Sequence, residues 1–306
     1  RVTVLEKNDS PGGRARLWAE KGYQFDMGPS WYLMPEVFEH YFTLFGRRRE
    51  QYYALKALDP YYRVFFGTSS PVDIGPDRGR LEALFESFQP GGALKLRSYL
   101  DQARYKYEVA MREFLYKEYA SIFDFLNLRM LFEGSRLNVF GRLDRSVRRY
   151  FRDLRARQIL EYAMVFLGTD PAKAPALYSI MSHVDLNLGV YYPSGGLQAV
   201  GAALARLAAE MGVELRLNQE VRRIVVEKGS ARRVLTAQAE YRGEVVLVNA
   251  DYAHAETRLL DAPHQSYPTR YWERRVLAPS FFVLYLGVKK RLPNLVHHNL
   301  YFSPDW

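Results

Sequence analysis

A short apolar strand, closed by an acidic residue and followed by a glycine pair, constrains the fold of this chain more than any other feature. Residues 2–5 form the strand, Glu6 ends it, and Gly12 and Gly13 follow. An acidic residue at the end of the second strand of a dinucleotide-binding βαβ unit can accept two hydrogen bonds from a ribose diol. Glycines allow the backbone to come close to a ligand. The opening therefore predicts an α/β fold with a dinucleotide site.

Arg14 follows the glycine pair and is placed to neutralise a pyrophosphate with its planar fork of donors. A complete unit would have a strand, a Gly-rich turn and a helix before the acidic residue, with the glycines about 20 residues upstream. Only five residues precede Glu6. Either the chain is a fragment that lacks the first βα unit, or the dinucleotide hypothesis is wrong.

Length and composition exclude several classes of protein. A chain of 306 residues is long enough for two modest domains or one large one. It has no Cys, which excludes a disulfide framework, a thiolate metal site and a thiol nucleophile. The longest uncharged run, residues 186–205, contains Pro193 and the pair Gly195-Gly196. Because a bilayer-spanning helix needs about 20 predominantly apolar residues, we expect no transmembrane helix.

Aromatic residues and positive charge are both abundant. The 23 Tyr and 18 Phe residues fit either a well-filled core or a large apolar ligand pocket, and the sequence leaves both open. The net charge of +9 suits a nucleic acid or an anionic membrane surface as a partner.

Residues 143–154 combine an apolar stripe with dense positive charge. Leu143, Val147, Tyr150 and Leu154 lie at helical spacing. The arginines around them are Arg142, Arg145, Arg148, Arg149, Arg152, Arg155 and Arg157. Such a helix can lie in a membrane interface, or it can be a surface helix with its apolar side in the core. Because no helix-turn-helix, zinc-finger, RRM or KH pattern accompanies the arginines, we expect no nucleic-acid partner.

Periodicity predicts the remaining elements. Pro35 stands at the start of a helix, where proline is tolerated. Aromatic and β-branched residues around a turn at residues 67–71 predict a hairpin. Apolar residues from 100 to 114 repeat at spacings of three and four, which predicts an amphipathic helix. Further strands are predicted at residues 213–217, 220–226 and 280–288, and a helix that ends before Gly212 at residues 197–211. Residues 234–248 are predicted to continue as strands of a small meander that is interrupted at Arg242-Gly243.

Several strings of the sequence resemble one family. Glu-Lys-Asn at residues 6–8, Gly-Gly-Arg at residues 12–14 and the segment 25–30 resemble the flavin-binding region of the amine-oxidase-like FAD oxidoreductases. Within that superfamily, residues 31–38 resemble the bacterial phytoene desaturases, the carotenoid desaturase family. Further similar strings stand in family order at residues 58–66, 192–197, 249–254 and 297–299. The family has segments before and after those present here, so the resemblance favours a chain truncated at both ends.

The resemblance implies an FAD cofactor. It implies that the backbone of Val221, in a Glu-Val-x-x-Ile strand, holds the adenine. The residues assigned to FAD contacts are Glu6, Lys7, Gly12, Gly13, Arg14, Gly28, Pro29, Ser30 and Val221. No residue pattern nominates a catalytic base. The pair His297-His298 has no carboxylate or third histidine at ligand spacing, so we predict no metal site.

The resemblance also implies the fold class and the domain organisation. The predicted fold is α/β (α+β), with a Rossmann-like FAD-binding domain that is incomplete here and a mixed substrate domain. Residues 1–50 and 190–265 would form the first. Residues 51–189 and 266–306 would form the second, which would hold strands and a helical part that faces a membrane.

The function implied is FAD-dependent desaturation of a long apolar isoprenoid such as phytoene, in carotenoid biosynthesis. The cofactor would carry the redox chemistry while the protein orients the substrate and excludes water. The other expected partners are the membrane surface, met peripherally on the cytoplasmic side in a bacterium, and oxygen or a quinone as electron acceptor. Alternatives are a dehydrosqualene desaturase, a carotenoid isomerase, an inactive fragment or a membrane-surface binding module.

Overall fold

A computed structural model describes residues 1–116, 118, 120–121, 137 and 141–305. The chain divides into two compact units. Unit 1 consists of Arg1–Ser30, Glu50–Ala54 and Pro193–Leu277, and unit 2 of Trp31–Arg49, Leu55–Tyr192 and Ala278–Trp306. Residues 31–49, expected in the FAD-binding domain, lie in unit 2, and residues 266–277, expected in the substrate domain, lie in unit 1. The assignment of FAD and substrate to these units stays a prediction.

Runs of short strands are interspersed with runs of helices along the chain. The strands are β1 Thr3–Leu5, β2 Leu17–Glu20, β3 Tyr23–Asp26, β4 Leu55–Ala57, β5 Tyr62–Phe66, β6 Val72–Ile74, β7 Tyr191–Pro193, β8 Glu214–Arg216, β9 Val221–Glu227, β10 Ser230–Thr236, β11 Glu240–Arg242 and β12 Asn299–Phe302. The helices are α1 Pro35–Thr43, α2 Arg78–Phe88, α3 Gly92–Val109, α4 Leu143–Arg148, α5 Leu154–Glu161, α6 Ile180–His183, α7 Gln198–Glu210, α8 Tyr252–His254 and α9 Thr269–Glu273.

Unit 1 contains three small sheets. β1 pairs in parallel with β8. Two parallel strands need a long crossover connection, and the last element of this one is α7, which directly precedes β8. β2 and β3 form a hairpin, and β9, β10 and β11 form an antiparallel meander. The β2–β3 and β9–β10 turns are both Lys-Gly pairs in which both residues have positive φ. That conformation is a type I′ turn, whose twist matches the flanking strands.

Unit 2 holds the main hydrophobic core. β5 pairs antiparallel with β6 and in parallel with β12, while β4 pairs with β7. The core joins β5 and β6 to α2, α3, α4 and α5, with the fully buried side chains of Tyr62, Ile74, Phe85, Leu100 and Phe151 among its members.

The α2–α3 corner of unit 2 is closed by a buried acid. Glu82 accepts hydrogen bonds from Arg78 and from Arg97, and the Arg97 hydrogen bond is the main reason that its pKa falls to about 2. Because the lowered pKa means that folding favours the ionised carboxylate, this contact stabilises the fold above the carboxyl's ordinary pKa. The stabilisation is lost as the pH falls towards 2.

Most of the predicted elements are confirmed. The proline-initiated helix is α1, the hairpin is β5–β6, and the amphipathic helix is α3, which continues as a π-helical turn at Ala110–Leu115. The helix predicted at residues 197–211 is α7. The strands predicted on either side of residues 218–219 are β8 and β9. Each of these elements has a local pattern that fixes its type.

Two predictions from periodicity are wrong. The arginine-rich segment is two helices: α4 ends at Arg148, and Asp153 caps the start of α5 by accepting a hydrogen bond from the Arg155 amide. The segment predicted as a strand at residues 280–288 is irregular and largely exposed. The meander predicted over residues 234–248 is confirmed as far as Arg242 by β10 and β11, and residues 243–248 form no strand. In the described part of the chain no strand pairs with residues 243–248 or 280–288, and apolar composition does not supply one.

The apolar side of the arginine-rich segment lies in the core of unit 2. Leu143, Val147 and Phe151 are fully buried there, so these side chains do not face outward as an interfacial helix would require. Five arginines of the segment remain exposed, namely Arg145, Arg148, Arg149, Arg152 and Arg155, of which Arg155 is ion-paired with Asp153. Across residues 1–116 and 141–305, no helix is both long enough and apolar enough to cross a bilayer.

Candidate functional site

The glycine pair of unit 1 forms a tight turn. Gly12 has φ +113° and Gly13 has φ +53°, and the amide of Ala15 donates to the carbonyl of Gly12 at 2.8 Å. A side chain at either position would be strained in this left-handed conformation. Space around Gly13 is open within 4 Å of where a Cβ would stand. The turn therefore presents bare backbone, and the exposed side chain of Arg14 follows it.

Gly28 packs against this turn. A Cβ at Gly28 would lie 2.2 Å from the carbonyl oxygen of Arg14, far inside van der Waals contact. The amide of Met27 donates to the carbonyl of Arg16 at 3.0 Å, which holds the two segments together. The predicted residues Gly12, Gly13, Arg14 and Gly28 thus come together in space, and Pro29 and Ser30 directly follow Gly28 in the chain.

Glu6 ends β1 beside the start of β9. Its amide donates to the Arg216 carbonyl at 2.9 Å, and its carbonyl accepts from the Gln219 amide at 2.8 Å, two residues before Val221. On the side chain, Oε1 accepts from the amide and from Nδ2 of Asn8. No hydrogen bond to Oε2 is made by the residues that the structure describes. Lys7 is exposed.

A second glycine pair, which sequence analysis did not connect with the first, lies against the same region. Asp26 accepts a hydrogen bond from the Leu197 amide at 2.9 Å, and a Cβ at Gly196 would lie 2.8 Å from the Asp26 carboxylate. A Cβ at Gly201 in α7 would lie 3.2 Å from the Cα of Gly12. The start of α7 therefore supports the first turn. The glycines at positions 195, 196 and 201 are visible in the sequence as candidates for close packing. The sequence does not show that Gly196 packs on Asp26 or that Gly201 packs on Gly12.

These residues fit a dinucleotide cofactor. The turn offers backbone that a ligand can approach, Glu6 keeps an acceptor oxygen for a ribose hydroxyl, and Arg14 offers its guanidinium for a diphosphate. The close contact between Gly28 and Arg14 fixes the turn that carries Gly12, Gly13 and Arg14.

Unit 2 gathers aromatic residues that are far apart in the sequence. The ring of Trp31 lies 5.1 Å from that of Tyr62, 6.0 Å from Tyr162, 5.4 Å from Phe166 and 4.5 Å from His298. We call these five residues the Trp31 cluster. Phe166 is 44% exposed, so the cluster reaches the surface of unit 2.

A buried carboxyl lies beside the Trp31 cluster. Asp185, 3% exposed, accepts hydrogen bonds at Oδ2 from the hydroxyls of Tyr62 at 2.8 Å and Tyr162 at 2.9 Å. Burial raises the pKa of the Asp185 carboxyl to about 7, although the two phenol hydrogen bonds act to lower it. Burial also raises the pKa of both tyrosines. We call these three residues the Tyr–Asp–Tyr cluster.

Two further titratable groups are buried in unit 2. The ammonium group of Lys106 in α3 donates to the Ala176 carbonyl at 3.1 Å and to the Ser179 hydroxyl at 3.0 Å, and burial lowers its pKa to about 8. His183 pairs through Nδ1 with the Asn187 amide, and burial lowers its pKa. The sequence analysis assigned no role to Lys106 or Asp185, because neither residue has a distinctive local pattern.

Comparison with known proteins decides the family. Residues 1–304 match the flavin containing amine oxidoreductases. The chain belongs to this family. Its FAD cofactor, predicted from the opening strings, is thereby confirmed, whereas the individual FAD contacts stay predictions.

Relatives within the family bear the names of carotenoid-type desaturases. The chain is 41% identical to a carotenoid 3,4-desaturase of Haloarcula japonica and 35% identical to a zeta-carotene-forming phytoene desaturase of Myxococcus xanthus. It is 31% identical to a 4,4'-diapophytoene desaturase of Staphylococcus aureus. In each case all of this chain is covered, with 62%, 59% and 62% of the relative. The predicted resemblance is confirmed, and the chain spans about three fifths of the length of these relatives.

Solved structures confirm the fold class. A Pyrococcus furiosus protein matches with a TM-score of 0.54 at 17% identity, over 89% of this chain and 58% of that one. An engineered putrescine oxidase matches with a TM-score of 0.53 at 16% identity, over 88% of this chain and 56% of that one. At these identities the likeness establishes the mixed α/β fold alone.

Proposed function

We propose that this chain performs FAD-dependent desaturation of a long apolar isoprenoid, such as phytoene, in carotenoid biosynthesis. The observation that carries the proposal is the glycine turn of unit 1, in which Gly12, Gly13 and Arg14 pack on Gly28 while Glu6 lies next to the start of β9. The desaturase names of the relatives support the reaction and the class of substrate.

Each predicted FAD contact has a separate task in this proposal. Glu6 would accept hydrogen bonds from the ribose hydroxyls, Arg14 would neutralise the diphosphate, and the backbone of Val221 would hold the adenine. A bound flavin supplies the hydride acceptor for the oxidation. We propose oxygen or a membrane quinone as the acceptor that takes the electrons onward. No residue is assigned as catalytic base.

An isoprenoid hydrocarbon offers no hydrogen-bonding groups, so its recognition depends on apolar and aromatic surface. The Trp31 cluster offers such surface in unit 2, and Phe166 brings it to the exterior. This arrangement supports the assignment of the substrate to unit 2.

Production of the protein from its complete gene in a bacterial host that accumulates phytoene tests the proposed reaction. We expect coloured products, each lighter than phytoene by H2 for every new double bond, because desaturation extends the conjugation. Products of unchanged mass but altered double-bond geometry would indicate the isomerase alternative. Unchanged phytoene, from a protein that is soluble and holds FAD, would contradict desaturation of this substrate.

We further propose that the protein binds the cytoplasmic face of the membrane peripherally, through the exposed arginines Arg145, Arg148, Arg149 and Arg152. Their positive charge suits anionic headgroups, and each cation near such a surface contributes about 1 kcal/mol. The burial of Leu143 and Val147 argues for electrostatic contact over insertion of this segment.

Flotation with liposomes tests the membrane proposal. We expect the protein to float with vesicles that contain phosphatidylserine at low salt and to remain at the bottom at high salt, because salt screens exposed charges. Replacement of the four arginines by Gln should abolish flotation. A control that neutralises four other exposed cations, Lys95, Arg222, Arg232 and Arg274, should retain it. Equal loss in both variants would contradict a specific role of the arginines.

A further inference from the structure

The Tyr–Asp–Tyr cluster holds a carboxyl in an unusual setting. Asp185 lies in a π-helical turn at Val184–Leu188, a local irregularity that is frequently found at functional sites. Both hydrogen bonds to its side chain reach Oδ2, whereas Oδ1 is buried with no hydrogen-bond partner in the described part of the chain. A buried carboxylate normally has a cation or several donors around it, since an uncompensated charge is costly to bury.

Within the described part of the chain, the titratable groups that act on this carboxyl are phenols, while the Trp31 ring also stacks on His298 at 4.5 Å. Tyr62 and its neighbour Tyr61 come from the β5 region, and Tyr162 comes from the 3-10 turn at Tyr162–Leu167. On the segment of Asp185 itself, His183 contacts Tyr107 and Asn187. Within residues 1–116 and 141–305, no arginine, lysine or histidine forms an ion pair with Asp185. Two other buried acids differ: Asp144 pairs with Arg142 and Glu82 with Arg97.

We propose that Asp185 is an internal proton-binding site, and that its state of protonation sets the hydrogen bonding of Tyr62 and Tyr162 and thereby the packing of Trp31. The geometry links the three steps directly. Both phenol hydroxyls converge on one carboxylate oxygen, and both phenol rings lie against the indole. This inference is independent of the proposed reaction.

The ionised and the protonated carboxyl differ in the strength of the hydrogen bonds that they accept from the two tyrosine hydroxyls. The carboxylate accepts two strong, charge-assisted hydrogen bonds, whereas the neutral acid accepts weaker ones and carries a proton of its own. With its pKa raised by burial to about 7, the group changes state near neutral pH. We therefore expect a rise in pH to strengthen the hydrogen bonds of Tyr62 and Tyr162 to Asp185, and a fall in pH to weaken them. The packing of the Trp31 cluster should change with these hydrogen bonds.

Infrared spectroscopy of the purified protein, with and without ¹³C-labelled aspartate, tests the proposal. We expect the carbonyl stretch of a buried carboxylic acid, sensitive to the label, which disappears with rising pH at a midpoint of about pH 7. Asp185→Asn, which keeps an acceptor oxygen but cannot titrate, should lack this band. Asp144→Asn, a matched change at an acid already paired with an arginine, should retain it.

A second variant keeps the test decisive if Asp185→Asn does not fold. Tyr62→Phe removes one donor to the carboxylate and should raise the midpoint by about one pH unit, because a hydrogen bond to the charged form favours ionisation. Difference fluorescence between His298→Gln and the double variant His298→Gln/Trp31→Phe should follow the same midpoint, because the other titratable ring stacked on Trp31 is then removed. A folded wild type without the acid band, or a midpoint that Tyr62→Phe leaves unchanged, would overturn the proposal.

The dependence of stability on pH gives an independent readout. The folded protein binds the proton of Asp185 more tightly than the unfolded chain does. Protonation of Asp185 therefore stabilises the folded state, and this contribution is complete below the ordinary carboxyl pKa of about 4. That contribution is lost as the pH rises to about 7. We expect the urea midpoint of the wild type, relative to Asp185→Asn, to fall over this range. A constant difference would contradict proton binding at Asp185.

Discussion

Replacement of Gly28 by Ala should leave the protein without flavin. The added Cβ would lie 2.2 Å from the carbonyl oxygen of Arg14 and 3.2 Å from its carbonyl carbon. Both atoms are backbone, so no flexible side chain can swing away to relieve the contact. The glycine turn has to move, and the predicted FAD contacts of Gly12, Gly13 and Arg14 move with it.

The expected loss is large because binding depends on exact placement. A shift of about 1 Å in a positioned group can cost about 100-fold in function. Overpacking itself typically costs about 1–3 kcal/mol of stability. We expect Gly28→Ala to purify colourless and to bind added FAD at least about 100-fold more weakly than the wild type, as measured by fluorescence titration.

Gly79→Ala is the matched control. Its Cβ, in α2, would lie 3.3 Å from a side-chain oxygen of Asp77, the residue that precedes α2, and FAD retention should be unchanged. A yellow Gly28→Ala protein with a full complement of FAD would show that the glycine turn does not hold the cofactor.

Phe85→Ala should produce the largest loss of stability in unit 2. The Phe85 ring is fully buried and lies 5.3 Å from the Phe151 ring and 5.8 Å from the Phe88 ring. Removal of such a side chain leaves a cavity that the core fills only in part, which costs about 3–5 kcal/mol. We expect a clear decrease in the urea midpoint, followed by far-ultraviolet circular dichroism.

Two other variants distinguish the loss of stability caused by a buried cavity from the loss caused by any substitution in this helix. Phe85→Leu keeps most of the volume and should lose much less stability than Phe85→Ala. Phe88→Ala removes a partly exposed ring from the same helix and should also cost less. A Phe85→Ala protein as stable as the Phe88→Ala protein would contradict the central place of Phe85 in the core.

Local patterns predicted the parts of the site that depend on local backbone. The strand before Glu6, the glycine turn and the start of β9 at Val221 each follow from spacing and residue type. The contact between Asp26 and the amide of Leu197 joins residues 171 positions apart. No local sequence pattern indicates that Asp26 accepts a hydrogen bond at the start of α7. The packing of α7 against the glycine turn could therefore not be predicted.

The burial of particular side chains distinguished between interpretations that the sequence had left open. The stripe of Leu143 and Val147 was compatible with both a membrane interface and a protein core, and the packing of α4 buries these two side chains in the core. Asp185 had no distinctive neighbours in sequence, because its setting depends on Tyr62, 123 positions away. Residues 280–288 have strand composition, but pairing with a neighbour decides whether a strand forms.

The visible absorption spectrum of the protein purified from its complete gene, together with the mass of the released chromophore, tests the cofactor assignment most directly. We predict a yellow protein that releases FAD at about one molecule per chain. A colourless protein that also fails to take up added FAD would contradict the flavin site built on Glu6 and the glycine turn, and with it the proposed desaturation.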